Sequence, residues 1–268
     1  KVDLLVGLPT FNQAAGVEAV TKAILTGLQD SFPNHSLLIV NVDVGSHDGT
    51  SDVIKRTVGN LVPLAVVQHL AEDRRVTSFS VNRLSYSGMP GREEAFRSLF
   101  AITERLQARA CVISDANVGP VASDWMTLLG QPVLEKDADY VAPIFRRRRY
   151  EGSLTNSLIA PLTRALYGKR VACQTGGGYG FSGRLASLYL QKDVWAGESA
   201  RFGIDSWLTT IAAAEGCQIF QAFLGTKTQD EKPAGADVAG VLAQAVGAAF
   251  HYMERYEDMW EKVSGSTA

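Results

Sequence analysis

Short apolar runs alternate with amphipathic segments along the first half of the chain. The runs at 3–8, 37–42 and 64–68 are rich in aliphatic residues, which is typical of buried strands. Between them, residues 16–30 and 48–58 place apolar side chains at helical spacing. This alternation predicts consecutive β-α-β units and therefore a parallel sheet.

The second half of the chain has a less regular pattern. No internal repeat or low-complexity linker divides it from the first half, so one domain covering 1–268 is the simplest organisation. The remaining predicted elements are a helix at 92–107, strands at 108–114 and 139–145, an amphipathic segment at 154–167, a glycine-rich stretch at 174–183, a helix at 205–215, a strand at 218–225 and a long helix at 237–263.

The final helix carries an apolar stripe at three- and four-residue spacing. Such a stripe is most simply part of the core, although it could also form the face of a homodimer. Its members are Phe250, Met253, Tyr256 and Trp260.

Composition narrows the class of protein. The chain has 268 residues, of which 46% are hydrophobic, so it is long enough to bury a full core. Its formal net charge of −2 provides no general attraction for nucleic acid or an anionic membrane. No apolar run approaches the ~18 residues of a membrane span, and no leader is recognisable, so we expect a cytoplasmic protein. The cysteines Cys111, Cys173 and Cys217 lie in apolar segments without metal-binding spacing, which predicts buried thiols.

Polar motifs stand at the ends of three predicted strands. They are GLPTFN at 7–12, VDVGSHDGT at 42–50 and SDAN at 114–117. The carboxyl ends of parallel strands meet at one edge of a sheet, where open α/β folds bind their ligands. We therefore expect the three motifs to form one site.

The last of these motifs has the chemistry of a metal site. Asp115 and Asn117 are the two ends of an acid-x-amide pattern, and oxygen ligands of this kind suit Mg²⁺ or Mn²⁺. Because the amide carries no charge, we expect a weaker site than two carboxylates would make. A capped turn after a strand is the alternative interpretation of the same pattern.

These motifs together resemble those of family 2-type glycosyltransferases, and most closely the branch that contains mannosylglycerate synthase and the mannosyl- and glucosyl-3-phosphoglycerate synthases, enzymes of compatible solute synthesis. The resemblance implies a GT-A fold, which is a Rossmann-like α/β fold with a mixed sheet flanked by helices and a smaller acceptor-side lobe. Residues 1–145 would bind the nucleotide sugar, and residues 146–268 the acceptor. The similarity extends to the segments 146–171, 174–185, 202–210 and 224–233.

The resemblance assigns roles to residues of the first half. Asp43 would contact the base, which suits a carboxylate that accepts hydrogen bonds from the N–H groups of uracil or guanine, and the forked guanidinium of Arg92 would contact the diphosphate. Alternatively, Asp43 serves its own turn and Asp48 caps the helix that follows. The implied nucleotide-sugar residues are Pro9, Thr10, Asn12, Asp43, Gly91, Arg92 and Asp115.

Asp205, in the second half of the chain, is a candidate catalytic residue, as is Asp115. It would take the acceptor's proton or position the acceptor, while the alternative is an ordinary helix N-cap. The arginine run at 146–149 is either a solvated strand exit or an anion pocket for a carboxylate or phosphate. The implied acceptor-binding residues are Arg146, Arg148, Thr155, Asn156, Gly177 and Gly178.

Three positions depart from the family pattern. It leads us to expect an acid at Asn117, an acid at Gly178 and a histidine at Gln229. The predicted metal ligands are therefore Asp115, Asn117 and Gln229, a set with a single charge. This predicts an altered metal requirement, a different acceptor or little activity.

The function predicted from the sequence is transfer of a hexose from a nucleotide-diphosphate sugar to a small acidic acceptor such as glycerate or 3-phosphoglycerate. Retention of the anomeric configuration follows from the resemblance, and Mg²⁺ or Mn²⁺ would help the diphosphate leave. One rival is a binding protein that keeps the nucleotide pocket without turnover. A nucleotidyltransferase is a weaker rival, because the segment 7–12 is not its phosphate loop.

Overall fold

The computed structural model describes residues 1–69, 89, 91–116, 121–146, 155–172, 177–192, 195, 204–226 and 238–266. Strands within these residues form one sheet. They are β1 (Leu4–Thr10), β2 (Leu37–Asp43), β3 (Leu64–Gln68), β4 (Ala110–Ser114), β5 (Tyr140–Arg146), β6 (Gly178–Ser182) and β7 (Ile219–Thr226).

The sheet is mixed, with its seven strands in the order β3-β2-β1-β4-β6-β5-β7. The predicted parallel arrangement is confirmed for β1 to β4. β6 then runs antiparallel to both of its neighbours, while β5 and β7 are parallel to each other. It follows that β5 and β7 point the same way as β1, so their carboxyl ends lie at the same edge of the sheet.

Helices cover both faces of this sheet. The predicted helices of the first half are confirmed to within a few residues at their ends, whereas α4 and α6 were not predicted. The helices are α1 (Ala14–Ser31), α2 (Thr50–Val58), α3 (Arg92–Arg105), α4 (Asp124–Glu135), α5 (Ala160–Tyr167), preceded by a π-helical turn (Thr155–Ile159), α6 (Gly183–Gln191), α7 (Ile204–Ala214), α8 (Val238–Arg255) and α9 (Glu257–Trp260).

Two apolar clusters sandwich the sheet because the side chains of each strand alternate between its faces. Leu4 and Val6 of β1 belong to the cluster formed with α1, α2 and α4. Leu5 belongs to the cluster on the other face, with α3, α6 and α7. The strands are therefore buried on both sides, as their continuous apolar runs predict.

The glycine-rich stretch supplies a central strand. A Cβ at Gly180 would overlap the carbonyl oxygen of Leu129 in α4, and a Cβ at Gly178 would lie 3.1 Å from the Trp125 ring. β6 can therefore pack close to α4 only because these positions have no side chain.

The long helix predicted at 237–263 is two helices that are interrupted at Tyr256. The predicted stripe is also partly wrong. Phe250 is 61% exposed, whereas Ala248 and Tyr252 are buried. Met253, Tyr256 and Trp260 pack against a small apolar cluster with α5 and α7.

The described cysteines behave as predicted. Cys111 and Cys217 are free and buried, and burial raises the pKa of their thiols to about 12 and about 11. Cys173 lies outside the described residues.

No described helix is long and apolar enough to cross a membrane.

Candidate active site

The three strand-end motifs meet at one edge of the sheet. Thr10 ends β1, Asp43 ends β2 and Asp115 follows β4, and these three strands are adjacent and parallel. Asp43 and Asp115 are separated by two strand spacings, or about 10 Å. The predicted convergence is therefore confirmed for the first two motifs and for the described part of the third.

The loops after β1 and β2 are joined by side-chain hydrogen bonds. The Asn12 amide N–H donates to Ser46 Oγ at 2.9 Å, and its side-chain oxygen accepts from the His47 N–H at 2.9 Å. Asp48 accepts from the N–H of Ala14, the first residue of α1, at 2.9 Å. These bonds hold Asn12 in a left-handed conformation with φ of 51°, which asparagine tolerates better than most residues.

Asp48 does more than cap the helix that follows it. Its Oδ1 accepts from the hydroxyl and the amide of Thr50 at 2.5 and 3.1 Å, while Oδ2 accepts from Ala14. The Thr50 hydroxyl is the main cause of the lowered pKa of Asp48. The carboxylate therefore ties the start of α1 to the start of α2.

Asp43 is enclosed by its own turn. Its Oδ1 accepts from the amides of Gly45 and Ser46 at 3.0 and 2.7 Å. Its Oδ2 accepts from the hydroxyls of Thr10 and Ser51 at 3.2 and 3.1 Å. These contacts match the turn alternative. A contact with the base stays a prediction, and it would require Asp43 to exchange one of these bonds.

Arg92 lies between two carboxylates from distant parts of the chain. It begins α3, directly after Gly91, whose φ of 70° suits glycine. One terminal nitrogen donates to Asp115 Oδ2 and the other to Asp205 Oδ1, each at 2.7 Å. The guanidinium also lies 4.7 Å from the centre of the Phe96 ring. Arg92 therefore links Asp115, at the end of β4, to Asp205 in the second half of the chain.

The electrostatics of this group favour the charged form of Arg92. Burial alone would lower the pKa of the 3%-exposed arginine, but the adjacent Asp115 and Asp205 carboxylates raise it well above its usual value. Contact of Arg92 with the diphosphate stays a prediction. Each terminal nitrogen gives one of its two N–H groups to a protein carboxylate, and the buried Nε–H has no hydrogen-bond partner among the described residues.

Tyr179 completes the group and was not predicted from the sequence. Its hydroxyl donates to Asp205 Oδ1 at 2.5 Å. Burial, and then the nearby Asp205 carboxylate, raise the pKa of Tyr179 well above its usual value, so the phenol stays neutral. A tyrosine between two glycines of a buried strand was the available signal, because a buried tyrosine hydroxyl usually has a partner.

Asp205 lies in the first turn of α7, and its side chain is 7% exposed. Its carboxylate bonds with Arg92 and Tyr179, not with a backbone amide among the described residues. The N-cap alternative therefore does not describe its contacts. Asp205 and Asp115 each pair with Arg92, so the structure brings the two candidate residues together around one guanidinium, and their catalytic roles stay predictions.

The predicted acceptor residues lie at the same edge only in part. Gly177 accepts a hydrogen bond from the Asp115 amide at 2.6 Å, and Gly178 pairs with Ser114. Arg146 is exposed at the carboxyl end of β5. Asn156 is exposed in the π-helical turn, which also contains Thr155, and Arg148 lies outside the described residues.

Solved structures of glucosyl-3-phosphoglycerate synthase from Mycobacterium tuberculosis are similar to this chain over most of its length. A complex with phosphoglyceric acid is 20% identical and matches 96% of this chain and 80% of that one, with a TM-score of 0.65. A complex with Mn²⁺, UDP-glucose and glycerol 3-phosphate is 21% identical over 96% and 81%, with a TM-score of 0.66. This chain has the GT-A fold. No family model and no curated protein sequence matches it.

Within this GT-A fold, the described residues by themselves do not complete a metal site. They contain no cluster of three or more His, Cys, Asp or Glu side chains arranged to hold an ion. Asp115 is the only predicted ligand among them, and its Oδ2 pairs with the positive charge of Arg92. Asn117 and Gln229 lie outside the described residues, so the predicted metal set stays a prediction.

Proposed function

We propose that this protein is a glycosyltransferase that moves a hexose from a nucleotide-diphosphate sugar to a small acidic acceptor, with retention of the anomeric configuration. The observation that carries the proposal is the meeting of Asp115 and Asp205 around Arg92 at the carboxyl edge of the parallel strands. Functional groups of open α/β folds collect at this edge. The acceptor would be a glycerate or 3-phosphoglycerate type of acid, and the fold of the solved synthases supports that choice.

Hydrogen bonds connect the loops on the nucleotide side of the proposed site. The loops containing Asn12 and Ser46 are cross-linked by hydrogen bonds, as is the pair formed by Asp48 and Ala14. Pro9 and Thr10 lie in β1 beside Val42 and Asp43. A preformed framework of this kind lowers the entropic cost of ordering a ligand.

Asp205 is the residue that would bind the acceptor hydroxyl. Its Oδ1 already accepts from Arg92 and Tyr179, while Oδ2 accepts no hydrogen bond from a described residue. A hydroxyl that donates to Oδ2 would be oriented, and its oxygen would become more nucleophilic. In the retaining reaction the carboxylate would position the acceptor.

The acceptor's own negative charge needs a basic partner. Arg146 begins the arginine run at the carboxyl end of β5, the edge that also carries Asp115. Guanidinium groups bind carboxylate and phosphate through paired hydrogen bonds. Arg148, Thr155, Asn156, Gly177 and Gly178 are the further residues that we assign to this acceptor.

A divalent ion would neutralise the diphosphate that leaves, and Mg²⁺ or Mn²⁺ remains the predicted cofactor. Asp115 would contribute one ligand, with Asn117 and Gln229 as the other predicted ligands. No role assigned above to Asp205, Arg146 or the nucleotide loops depends on this ion.

A nucleotide-sugar-binding protein without turnover is the second candidate. It is favoured by the ion pair between Arg92 and Asp115, which reduces the charge available to a metal. The uncharged residues at Asn117, Gly178 and Gln229 favour it as well. Binding and transfer must therefore be measured separately.

The test is a thermal-shift screen of UDP-, GDP- and ADP-hexoses with and without Mg²⁺ or Mn²⁺, followed by a product assay with glycerate and 3-phosphoglycerate. Transfer to an acidic acceptor is the expected result. Binding without product would support the second candidate, and no binding of any nucleotide sugar would refute both.

Asp115→Ala should remove most metal-linked stabilisation, whereas the exposed control Asp30→Ala should retain it.

One further proposal concerns the oligomeric state of the protein. We propose a homodimer in which the exposed Leu242 and Phe250 of α8 contribute to the interface, because they are 46% and 61% exposed. Sedimentation of the wild type and of Phe250→Ser would test this. A cytoplasmic location stays a prediction.

A further inference from the structure

Two donors converge on a single oxygen of Asp205. The Tyr179 hydroxyl donates to Oδ1 at 2.5 Å, and Arg92 donates to the same atom at 2.7 Å. A carboxylate that is held at one oxygen from two directions has little freedom to rotate. Among the described residues, its other oxygen has no hydrogen-bond donor.

Packing against other aromatic rings restricts the Tyr179 side chain. It is fully buried, and its ring lies nearly parallel to that of Tyr140, with the centroids 6.3 Å apart. Phe96 meets the ring edge-on at 6.3 Å, and Phe181 lies 5.9 Å away. The hydroxyl position is therefore set by packing, which is how supporting groups fix a site residue.

The strand that carries Tyr179 has little freedom as well. β6 pairs with β4 and β5, and Tyr179 is opposite Ile113 in this register. Gly178 and Gly180 face α4 and allow its close approach, so Tyr179 points to the opposite face. The pattern Gly-Tyr-Gly thus determines where the hydroxyl lies.

We propose that Tyr179 is a positioning residue, which holds Asp205 Oδ1 so that Oδ2 is presented to the acceptor hydroxyl. This inference rests on the proposed glycosyl transfer. The positive charge of Arg92 balances the Asp205 carboxylate, and the tyrosine hydroxyl donates a second hydrogen bond from another direction. Removing the hydroxyl should therefore impair use of the acceptor and leave the donor site intact.

Tyr179→Phe is the direct test, because phenylalanine keeps the ring and loses only the hydroxyl. The matched control is Tyr189→Phe, which removes an equally buried hydroxyl that donates to the Leu208 carbonyl at 2.7 Å. We expect kcat/KM for the acceptor to fall about 10-fold or more in Tyr179→Phe, as for loss of a hydrogen bond to a charged group. The donor Kd from calorimetry should change less than about 2-fold, and the control should match the wild type in both.

A double variant shows whether the tyrosine acts through Asp205. If it does, Tyr179→Phe combined with Asp205→Asn should be no slower than Asp205→Asn alone. A further loss in the double variant, or equal kcat/KM in Tyr179→Phe and Tyr189→Phe, would overturn the inference. Absence of transfer by the wild type would instead refute the proposed function, and the inference with it.

Discussion

Two groups of paired aspartate and arginine side chains lie at opposite edges of the same sheet. Asp139 precedes β5 at the amino edge and is 4% exposed, while Asp115 and Asp205 lie at the carboxyl edge with 6% and 5% exposure. Asp139 accepts hydrogen bonds from Arg184, the Ser182 hydroxyl and the Gln218 amide. The two groups use the same residue types in different surroundings.

They differ in the burial of the arginine and in the balance of charge. The Arg184 side chain is 71% exposed and faces one carboxylate, so that pair is neutral. The Arg92 side chain is 3% exposed and faces two carboxylates, which leaves one negative charge. Excess buried charge costs stability, and it is concentrated at functional sites. The comparison is consistent with a structural role for Asp139 and with the proposed catalytic roles of Asp115 and Asp205.

Arg92→Met should have the largest effect on stability. It leaves two buried carboxylates without their shared cation, which costs about 3–5 kcal/mol. Urea unfolding at pH 7 would measure the loss. A loss of less than about 1 kcal/mol would contradict the contrast between the two groups.

Gly180→Ala should disturb both groups at once, because β6 begins directly after Gly177, which accepts from the Asp115 amide, and ends at Ser182, which donates to Asp139. The added methyl would overlap the Leu129 carbonyl oxygen, and overpacking of this kind costs about 1–3 kcal/mol. The same substitution at Gly16 is the control, because a Cβ there meets nothing within 4 Å. Equal melting temperatures for both variants would refute the close packing of β6 on α4.

Asp139→Asn should destabilise the fold by about 1.5–3 kcal/mol, as expected for loss of hydrogen bonds to a charged group. Transfer activity should remain within about 2-fold of the wild type, because a stability loss of this size leaves the protein folded. Urea unfolding and the product assay would measure the two effects. A large loss of activity in the folded variant would contradict the structural role of Asp139.

The contribution of Asp139 should also depend on pH. Burial alone would raise its pKa, but Arg184, the Gln218 amide and the Ser182 hydroxyl lower it below the usual value of 3.8. The stabilisation is therefore present above about pH 4 and is lost as the pH falls through the lower folded-state pKa. The difference in unfolding free energy between the wild type and Asp139→Asn should shrink at acidic pH. A difference that stays constant with pH would contradict the stabilising role of the Asp139 carboxylate.

Arg184→Met should have the smallest effect. Its exposed guanidinium forms a solvent-screened pair, which contributes about 0–1 kcal/mol. It is also the matched control for Arg92→Met, since the side-chain change is identical. Similar losses in the two variants would remove the distinction between a buried and an exposed partner.

Local periodicity was sufficient for much of the fold. The strand predicted at 64–68 is β3, and the helices predicted at 16–30 and 92–107 are α1 and α3 with small shifts at their ends. Helix α4 was missed because Gly130 and Pro132 lower its helix propensity. Packing against α1 and the sheet compensates for that weakness.

The sequence alone determined which polar residues end the apolar strands, because strand periodicity and motif spacing depend on neighbouring residues. That was enough to place Asp43 and Asp115 at one edge of a sheet. Only the tertiary structure decided that Arg92 pairs with Asp205, 113 residues away, and that Tyr179 donates to the same oxygen. Tyr179 reaches this site because β6 inserts between β4 and β5, a long-range pairing that leaves no periodic pattern in the sequence.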